Sequence, residues 1–356
     1  MCGIVGAIGE NNVLPNVLKA LKRLEYRGYD SAGFSAVNTL GRHICTKSKG
    51  NVDNLVQASS EHNDHNGSIV IAHTRWATHG KVTVANAHPH QSESLSLVHN
   101  GIIENHQEIR TMLESEGYVF SSETDSESIV HLLHFIARNN PNATLLETVN
   151  RVIPQLKGAF GILVFDAKNP SEIVVARSGS PMIIGLADNA NYIASDEHSL
   201  LPYTNKFVYL DEGEIALVKK GEFTVFQNGV EKDKTIRYSQ AEDESGSMGD
   251  YDSYMELFAK KDSKLDLVLS DIAPNITGIS DVDQSNFSDI ALNILGFCRF
   301  KLKPRGTLVM KYFLGSSFEV TLKTLNNNFN KVNVFKPPSS KKKSNEVYLI
   351  CIEFKD

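Results

Sequence analysis

The second residue of the chain is a cysteine, in the opening run MCGIVGAIG. Loss of Met1, usual before a small residue, would leave Cys2 carrying both a thiol and a free α-amine. A thiol with a pKa of about 8.5 is only a few per cent ionised at neutral pH. An α-amine with a pKa of about 7.7–8.0 is a base matched to that pH. Nucleophile and base would then share one residue. The plain alternative is a small buried hydrophobe, the usual role of a free cysteine. Four further stretches gather groups that could serve a nucleophile: RGYDSAG (27–33), AHTRWATHG (72–80), HNGIIENH (99–106) and SETDSES (122–128). Taken singly, each has an ordinary reading. Arg75 alone is a surface charge, Asn100-Gly101 a type I′ hairpin turn, and Asp125 a helix cap. His88 and His90, in NAHPH, lack a third partner at metal-ligand spacing and read as a loop, so no metal is expected.

The elements that must position these groups are short strands and a few helices. CGIVGAIG, SIVIAHTRW, LSLVHNG, GILVFDA, EIVVARS, NYIAS, FVYLDEG and EIALVKKG are β-branched runs bounded by Gly, Asn, Asp or Ser. In VLPNVLKALKRLEY, Leu14, Leu18, Leu21 and Leu24 repeat at three and four, which predicts a helix. Ile129, Leu132, Leu133 and Ile136 do the same in SESIVHLLHFIARNN. NATLLETVNRVIPQL predicts a third helix, capped by Asn142 and ended early by Pro154. Strands grouped with helices between them predict sheets packed on each other and covered by helices.

Together, in this order behind Cys2, the stretches resemble the class II glutamine amidotransferases, whose nucleophile is the N-terminal residue. They resemble in particular the glutaminase domain of glucosamine-6-phosphate synthase (glutamine–fructose-6-phosphate aminotransferase). The resemblance covers about residues 1–240 and implies a four-layer αββα sandwich. It implies that Cys2 attacks the side-chain amide of L-glutamine while its own amine moves the proton. Asn100 through its side chain and Gly101 through its backbone N–H would hold the oxyanion. Arg75 would pair with the substrate α-carboxylate, a geometry that suits a guanidinium. Thr78 and His79 would line that end, and Asp125 would hold the α-ammonium. The products would be glutamate and ammonia, with a thioester on Cys2 between them and no cofactor.

The rest of the chain follows a different grammar. A polar stretch over 241–262, with Gly246-Ser247-Met248 inside it, reads as a linker. Residues 263–356 then run strand–helix–strand–helix–strand–strand, which predicts a parallel β/α sheet with buried strands at KLDLVLSDIAP and GTLVMKYF. LDLVLSDIAPNITG (265–278) places polar groups at a strand's carboxyl end, where open α/β sheets bind ligands. With KPRGTLVMKYF (303–313) and KPPSSKKKSNEVYL (336–349), it resembles the second half of the heat-shock-type ribosomal RNA 2′-O-methyltransferases. By that resemblance Asp271, Lys311 and Glu346 match three of the four residues that activate a ribose hydroxyl. The basic run Lys341-Lys342-Lys343 would suit RNA phosphates. The fourth residue and the glycine-rich S-adenosylmethionine loop belong to the first half of that fold, and no such loop lies between 231 and 266. A partial Rossmann-like segment without methyl transfer is therefore expected, with an exposed strand edge and apolar face.

Bulk properties bound the classes. The chain has 356 residues, 41% hydrophobic and 22% charged, a core-forming balance. No apolar run reaches the ~20 residues of a membrane helix, and the N-terminus lacks a signal-peptide pattern. Four scattered cysteines without C-x-x-C spacing argue against a disulfide framework or zinc site and fit a reducing cytoplasm. Residues 257–356 hold 15 Lys+Arg against 10 Asp+Glu, a balance of +5; the remainder holds 21 against 32, a balance of -11. A change of sign along a chain suggests two parts with different partners. The isomerase domains that follow the glutaminase domain in the glucosamine synthases find no match in these residues. The expectation is therefore glutamine hydrolysis without productive ammonia transfer. The alternatives are an RNA 2′-O-methyltransferase-like RNA-binding protein, or a non-natural fusion of two gene fragments. The oligomeric state has no signature in the sequence.

Overall fold

The computed structural model describes residues 2–25, 28, 30–38, 40–60, 66–76, 81–239, 264–272, 280–337 and 345–355. The chain divides into two compact units, Met1–Ser245 and Gly246–Asp356.

In the first unit the β-branched runs become strands of two sheets. β1 (Gly3–Gly9) lies antiparallel between β4 (Ile69–Arg75) and β10 (Ala190–Ala194). The sheet around them adds β2 (Ser31–Val37), β3 (His43–Lys49), β9 (Ile183–Leu186), β11 (Lys206–Tyr209) and β15 (Arg237–Tyr238). Its eight strands run in the order β15-β11-β9-β10-β1-β4-β2-β3. The second sheet is built from β5 (His90–Ser92), β6 (Leu95–Ile103), β7 (Gly158–Asp166), β8 (Glu172–Ser178), β12 (Glu214–Lys219), β13 (Glu222–Gln227) and β14 (Val230–Lys232). Its seven strands run in the order β14-β13-β12-β8-β7-β6-β5.

Successive strand side chains point to opposite faces, and the two faces of β1 enter different cores. Ile4 and Ile8 meet Val98, Leu163 and Phe165 of the facing sheet. Val5 and Ala7 pack instead with Val17 and Leu21 of α1 (Leu14–Lys22) and Leu55 of α2 (Val52–Ser60). The second sheet repeats the arrangement. Leu97, Ile162 and Val164 turn outward against α3 (His106–Ser115), α4 (Asp125–Asn139) and α5 (Leu145–Val152). Helix, sheet, sheet and helix make the expected four-layer αββα sandwich.

The third predicted helix forms with a different start. α5 is capped by Thr144, not Asn142. The Thr144 hydroxyl accepts the Glu147 N–H, and the Glu147 carboxylate accepts the Thr144 N–H. This reciprocal pair satisfies two donors that a lone Asn could not. Pro154 does end the α-helix, in a 3₁₀ turn over Ile153–Gln155.

The second unit contains β16 (Leu265–Ser270), α6 (Ser280–Lys301), β17 (Leu302–Phe313), α7 (Phe318–Asn328), β18 (Phe329–Phe335) and β19 (Glu346–Phe354). The sheet order is β16-β17-β19-β18. Only β16 and β17 are parallel; β19 runs antiparallel to both β17 and β18. The expectation of a parallel sheet thus holds for one pair. β16 is also not the buried strand expected. It is an edge strand, with Leu267 49% and Leu269 70% exposed, Val268 buried in the core and Leu265 packed at its margin. Phe287, Ile294, Leu295, Leu308, Met310, Tyr312, Leu325 and Leu349 form that core. Leu269, Val309 and Ile350 align across three strands on the opposite face. No helix among the described residues is long and apolar enough to cross a membrane.

Candidate active site

The register of β1 on β4 fixes where Cys2 sits. Gly3 pairs with Thr74, so the residue before it lies at the exit of β4, beside Arg75 and Trp76. The Thr74 hydroxyl accepts the Gly3 N–H at 3.1 Å, and the Ser195 hydroxyl accepts the Ile4 N–H at 3.1 Å. These two bonds anchor the start of the strand. The Trp76 N–H then donates to the Cys2 sulfur at 3.2 Å. Burial pushes the Cys2 thiol pKa up, while the Trp76 N–H and the Arg75 charge pull it down. The first effect dominates, so the thiol stays protonated at neutral pH and needs a base.

Asn100 and Gly101 lie inside β6, paired with Gly161 and Phe160 of β7, and do not form a hairpin turn. Gly101 has φ +136°, and a Cβ there would sit 1.9 Å from the Ala159 carbonyl oxygen. Only glycine fits this backbone. The Asn100 side-chain amide crosses from the second sheet to the first and donates to the Cys2 carbonyl at 2.9 Å. Its oxygen lies 3.0 Å from His73 Nε2.

Arg75 ends β4, is only 5% exposed, and donates through Nη1 to the Lys81 carbonyl at 3.2 Å. Burial lowers its pKa; the carboxylates that oppose this are those of Asp30, Asp125 and Glu123. Asp125 is the first residue of α4 and is half-buried. Its carboxylate accepts the Ile103 N–H at 2.8 Å, which ties the helix start to the end of β6. The Arg75 guanidinium therefore acts on the thiol, and the Asp125 carboxylate acts in turn on Arg75. Thr78 and His79 lie outside the described residues.

His88 lies in the loop that leads into β5, as expected, while His90 is already in the strand. Both are buried, and His90 begins β5. His90 Nε2 bonds the Thr124 hydroxyl at 2.9 Å and His88 Nδ1 bonds His73 Nδ1 at 3.1 Å. No cluster of three metal-ligating side chains occurs among the described residues. Sequence reasoning assigned no role to Thr74, Trp76 or His73, although all three lie in the AHTRWATHG stretch. The contact of Trp76 with Cys2 runs through its backbone, which leaves no side-chain signature. Ser195 reads in sequence only as the end of a strand.

In the second unit, Asp271 and Lys311 do come together, at 3.0 Å, and the Tyr348 hydroxyl donates to Asp271 at 3.1 Å. Lys311 pairs with Tyr348 across β17 and β19, and Glu346 pairs with Phe313 two residues farther along. All three residues picked from the sequence lie at one end of this sheet. Lys341–Lys343 lie outside the described residues.

A model of the glutamine amidotransferase domain matches residues 73–202, and one of the FtsJ-like methyltransferases matches residues 204–354. The second match begins inside the first unit, where β11, β12 and β13 are hydrogen-bonded into the sandwich. Glutamine–fructose-6-phosphate aminotransferase of Yersinia pseudotuberculosis is 46% identical over 259 residues, which is 72% of this chain and 42% of that protein. The Escherichia coli enzyme is 47% identical over 257 residues, with the same shares. The chain thus spans less than half the length of these relatives. Among solved structures, the glutamine phosphoribosylpyrophosphate amidotransferase of Bacillus subtilis shares the fold. Its TM-score is 0.58 at 19% identity, over 90% of this chain and 70% of that one. The first two-thirds of the chain resembles the glutamine amidotransferase domain of the glutamine–fructose-6-phosphate aminotransferases, and the last third resembles an FtsJ-like methyltransferase.

Proposed function

We propose that the first unit hydrolyses L-glutamine to L-glutamate and ammonia, with Cys2 as nucleophile once Met1 is removed. The observation that carries this is the convergence of a half-buried thiol, a glycine-only backbone at 101 and the Arg75 guanidinium, on which Asp125 acts electrostatically. Arg75 takes the substrate α-carboxylate and Asp125 the α-ammonium, which aims the side-chain amide at Cys2. Thr78 and His79 line the carboxylate end. The free Cys2 amine accepts the thiol proton as sulfur attacks the carboxamide carbon. Negative charge gathers on the former carbonyl oxygen. The second Nδ2 proton of Asn100 and the Gly101 N–H stabilise it, a contribution worth ~3–4 kcal/mol per donor where it has been measured. The amine then returns its proton to the departing nitrogen, releasing ammonia and leaving a thioester on Cys2. Water, deprotonated by the same amine, cleaves the thioester to glutamate.

Sugar-phosphate amination belongs to the longer relatives and is not assigned to these residues. The Asp271–Lys311–Glu346 group is proposed as inactive in methyl transfer, and RNA contact through Lys341–Lys343 as secondary. A domain boundary within 241–262 and a cytoplasmic location, where four thiols stay reduced, complete the reading. Cys2→Ala tests it: glutamate release is expected to vanish while the melting temperature stays within a few degrees. Activity retained in that variant would overturn the assignment.

A further inference from the structure

Asn100 can hold an oxyanion only if its amide nitrogen, not its oxygen, faces Cys2. The two ends of a carboxamide are nearly alike in shape, so something must choose between them. His73 sits on β4 of the first sheet, fully buried, and reaches across to β6 of the second. Its Nε2 lies 3.1 Å from the His99 carbonyl oxygen. A carbonyl only accepts, so Nε2 carries a proton. The Asn100 atom 3.0 Å from the same Nε2 must then also be an acceptor, which makes it Oδ1. Nδ2 is thereby turned toward Cys2, where it meets the backbone carbonyl at 2.9 Å.

The chain of dependence runs one residue farther. A neutral imidazole with a proton on Nε2 has a bare Nδ1. His88 Nδ1 lies 3.1 Å from it and must donate. His88 is itself held by the β2 backbone: a Cβ on Gly33 would stand 2.2 Å from the His88 carbonyl oxygen. Burial keeps His73 neutral, its pKa lowered to about 3, and holds His88 below the usual range as well.

We propose that His88 and His73 form a neutral hydrogen-bond relay that sets the flip state of the Asn100 amide, making both positioning residues for the glutaminase reaction. The inference rests on the proposed glutaminase reading for its consequence and on geometry alone for its existence. His73 acts through Asn100, and His88 acts through His73.

Two readouts test it separately. The first is ¹⁵N NMR of histidine-labelled full-length protein, with signals assigned by single His variants. His73 is expected as the Nε2–H tautomer and His88 as the Nδ1–H tautomer. The opposite tautomer at His73 would overturn the relay whether or not the protein is active. The second is a kinetic cycle. His73→Phe removes the Nε2 donor and is expected to lower kcat by roughly 10–100-fold, less than the ~100–1,000-fold of losing an oxyanion donor outright, with the KM for glutamine changed less than about twofold. His73→Gln, which keeps a donor near the Nε2 position, is expected to recover most of the loss. If His73 acts through Asn100, then His73→Phe with Asn100→Ala is no slower than Asn100→Ala alone. Additive losses would overturn the inference while leaving the glutaminase reading standing. A wild-type chain that releases no glutamate, yet shows both tautomers, would sink that reading and leave the relay intact.

Discussion

Cys2 and Arg75 show how far single residues can be argued. The N-terminal thiol was legible because its position is chemical information: only residue 2 can gain a free amine by losing Met1. Burial keeps the thiol protonated, so the proposed reaction calls on the adjacent amine to start it. Arg75 was legible only in company, since an isolated arginine reads as a surface charge. In the structure it is buried, with Asp30, Asp125 and Glu123 acting on it electrostatically. Arg75→Ala is expected to raise the KM for glutamine by about 100-fold or more, the scale of a lost charge-assisted bidentate contact of roughly 3 kcal/mol, with a smaller effect on kcat. Steady-state glutaminase kinetics check this, and an unchanged KM would remove Arg75 from the substrate site. His73 lies in the AHTRWATHG stretch, where nothing in the sequence gives it a role. Its importance depends on which atom of a neighbour it faces, and that exists only once β4 and β6 are brought across the sandwich.

Elements explain the errors as well as the successes. The strands of the sandwich were legible because their apolar runs are bounded by turn-forming residues. Asn100-Gly101 has the composition of a hairpin turn, yet it lies mid-strand in β6, because the pairing with β7 extends through both residues. Local turn chemistry loses there to nine paired positions. At α5 the cap moved from Asn142 to Thr144, where Glu147 three residues on completes a capping box. Thr144→Ala is expected to cost about 1 kcal/mol of stability, the usual value of a lost N-cap, without changing activity. Urea unfolding of the variant measures it; a shift below ~0.3 kcal/mol would mean the cap contributes nothing. In the second unit, strand and helix positions were legible, but strand direction was not. A hairpin-like return of β19 against β18 leaves the same hydrophobic pattern as a parallel strand.

At the scale of the molecule, the sandwich encloses a set of buried histidines that couples its stability to pH. His73, His88 and His90 all have pKa values lowered by burial, His73 to about 3. Each is neutral in the folded state and binds a proton in the unfolded state below about pH 6.5. Stability from this source is fully present above that pH and is lost as pH falls toward the folded values. Each histidine contributes a slope of up to about 1.4 kcal/mol per pH unit. Unfolding of the first unit, followed by urea titration at pH 7.5 and pH 5.5, is expected to show a clear loss at the lower pH; equal stabilities would contradict it. Two grammars in one chain were legible from the composition, since acidic strand-rich and basic β/α parts differ in both charge and period. The central claim is that a processed Cys2 sits in a glutamine-shaped site. Intact-mass spectrometry of the whole chain after incubation with a glutamine-mimicking diazo ketone tests it most directly. The account predicts loss of Met1 and a single adduct on Cys2. Retained Met1 with no adduct would contradict it.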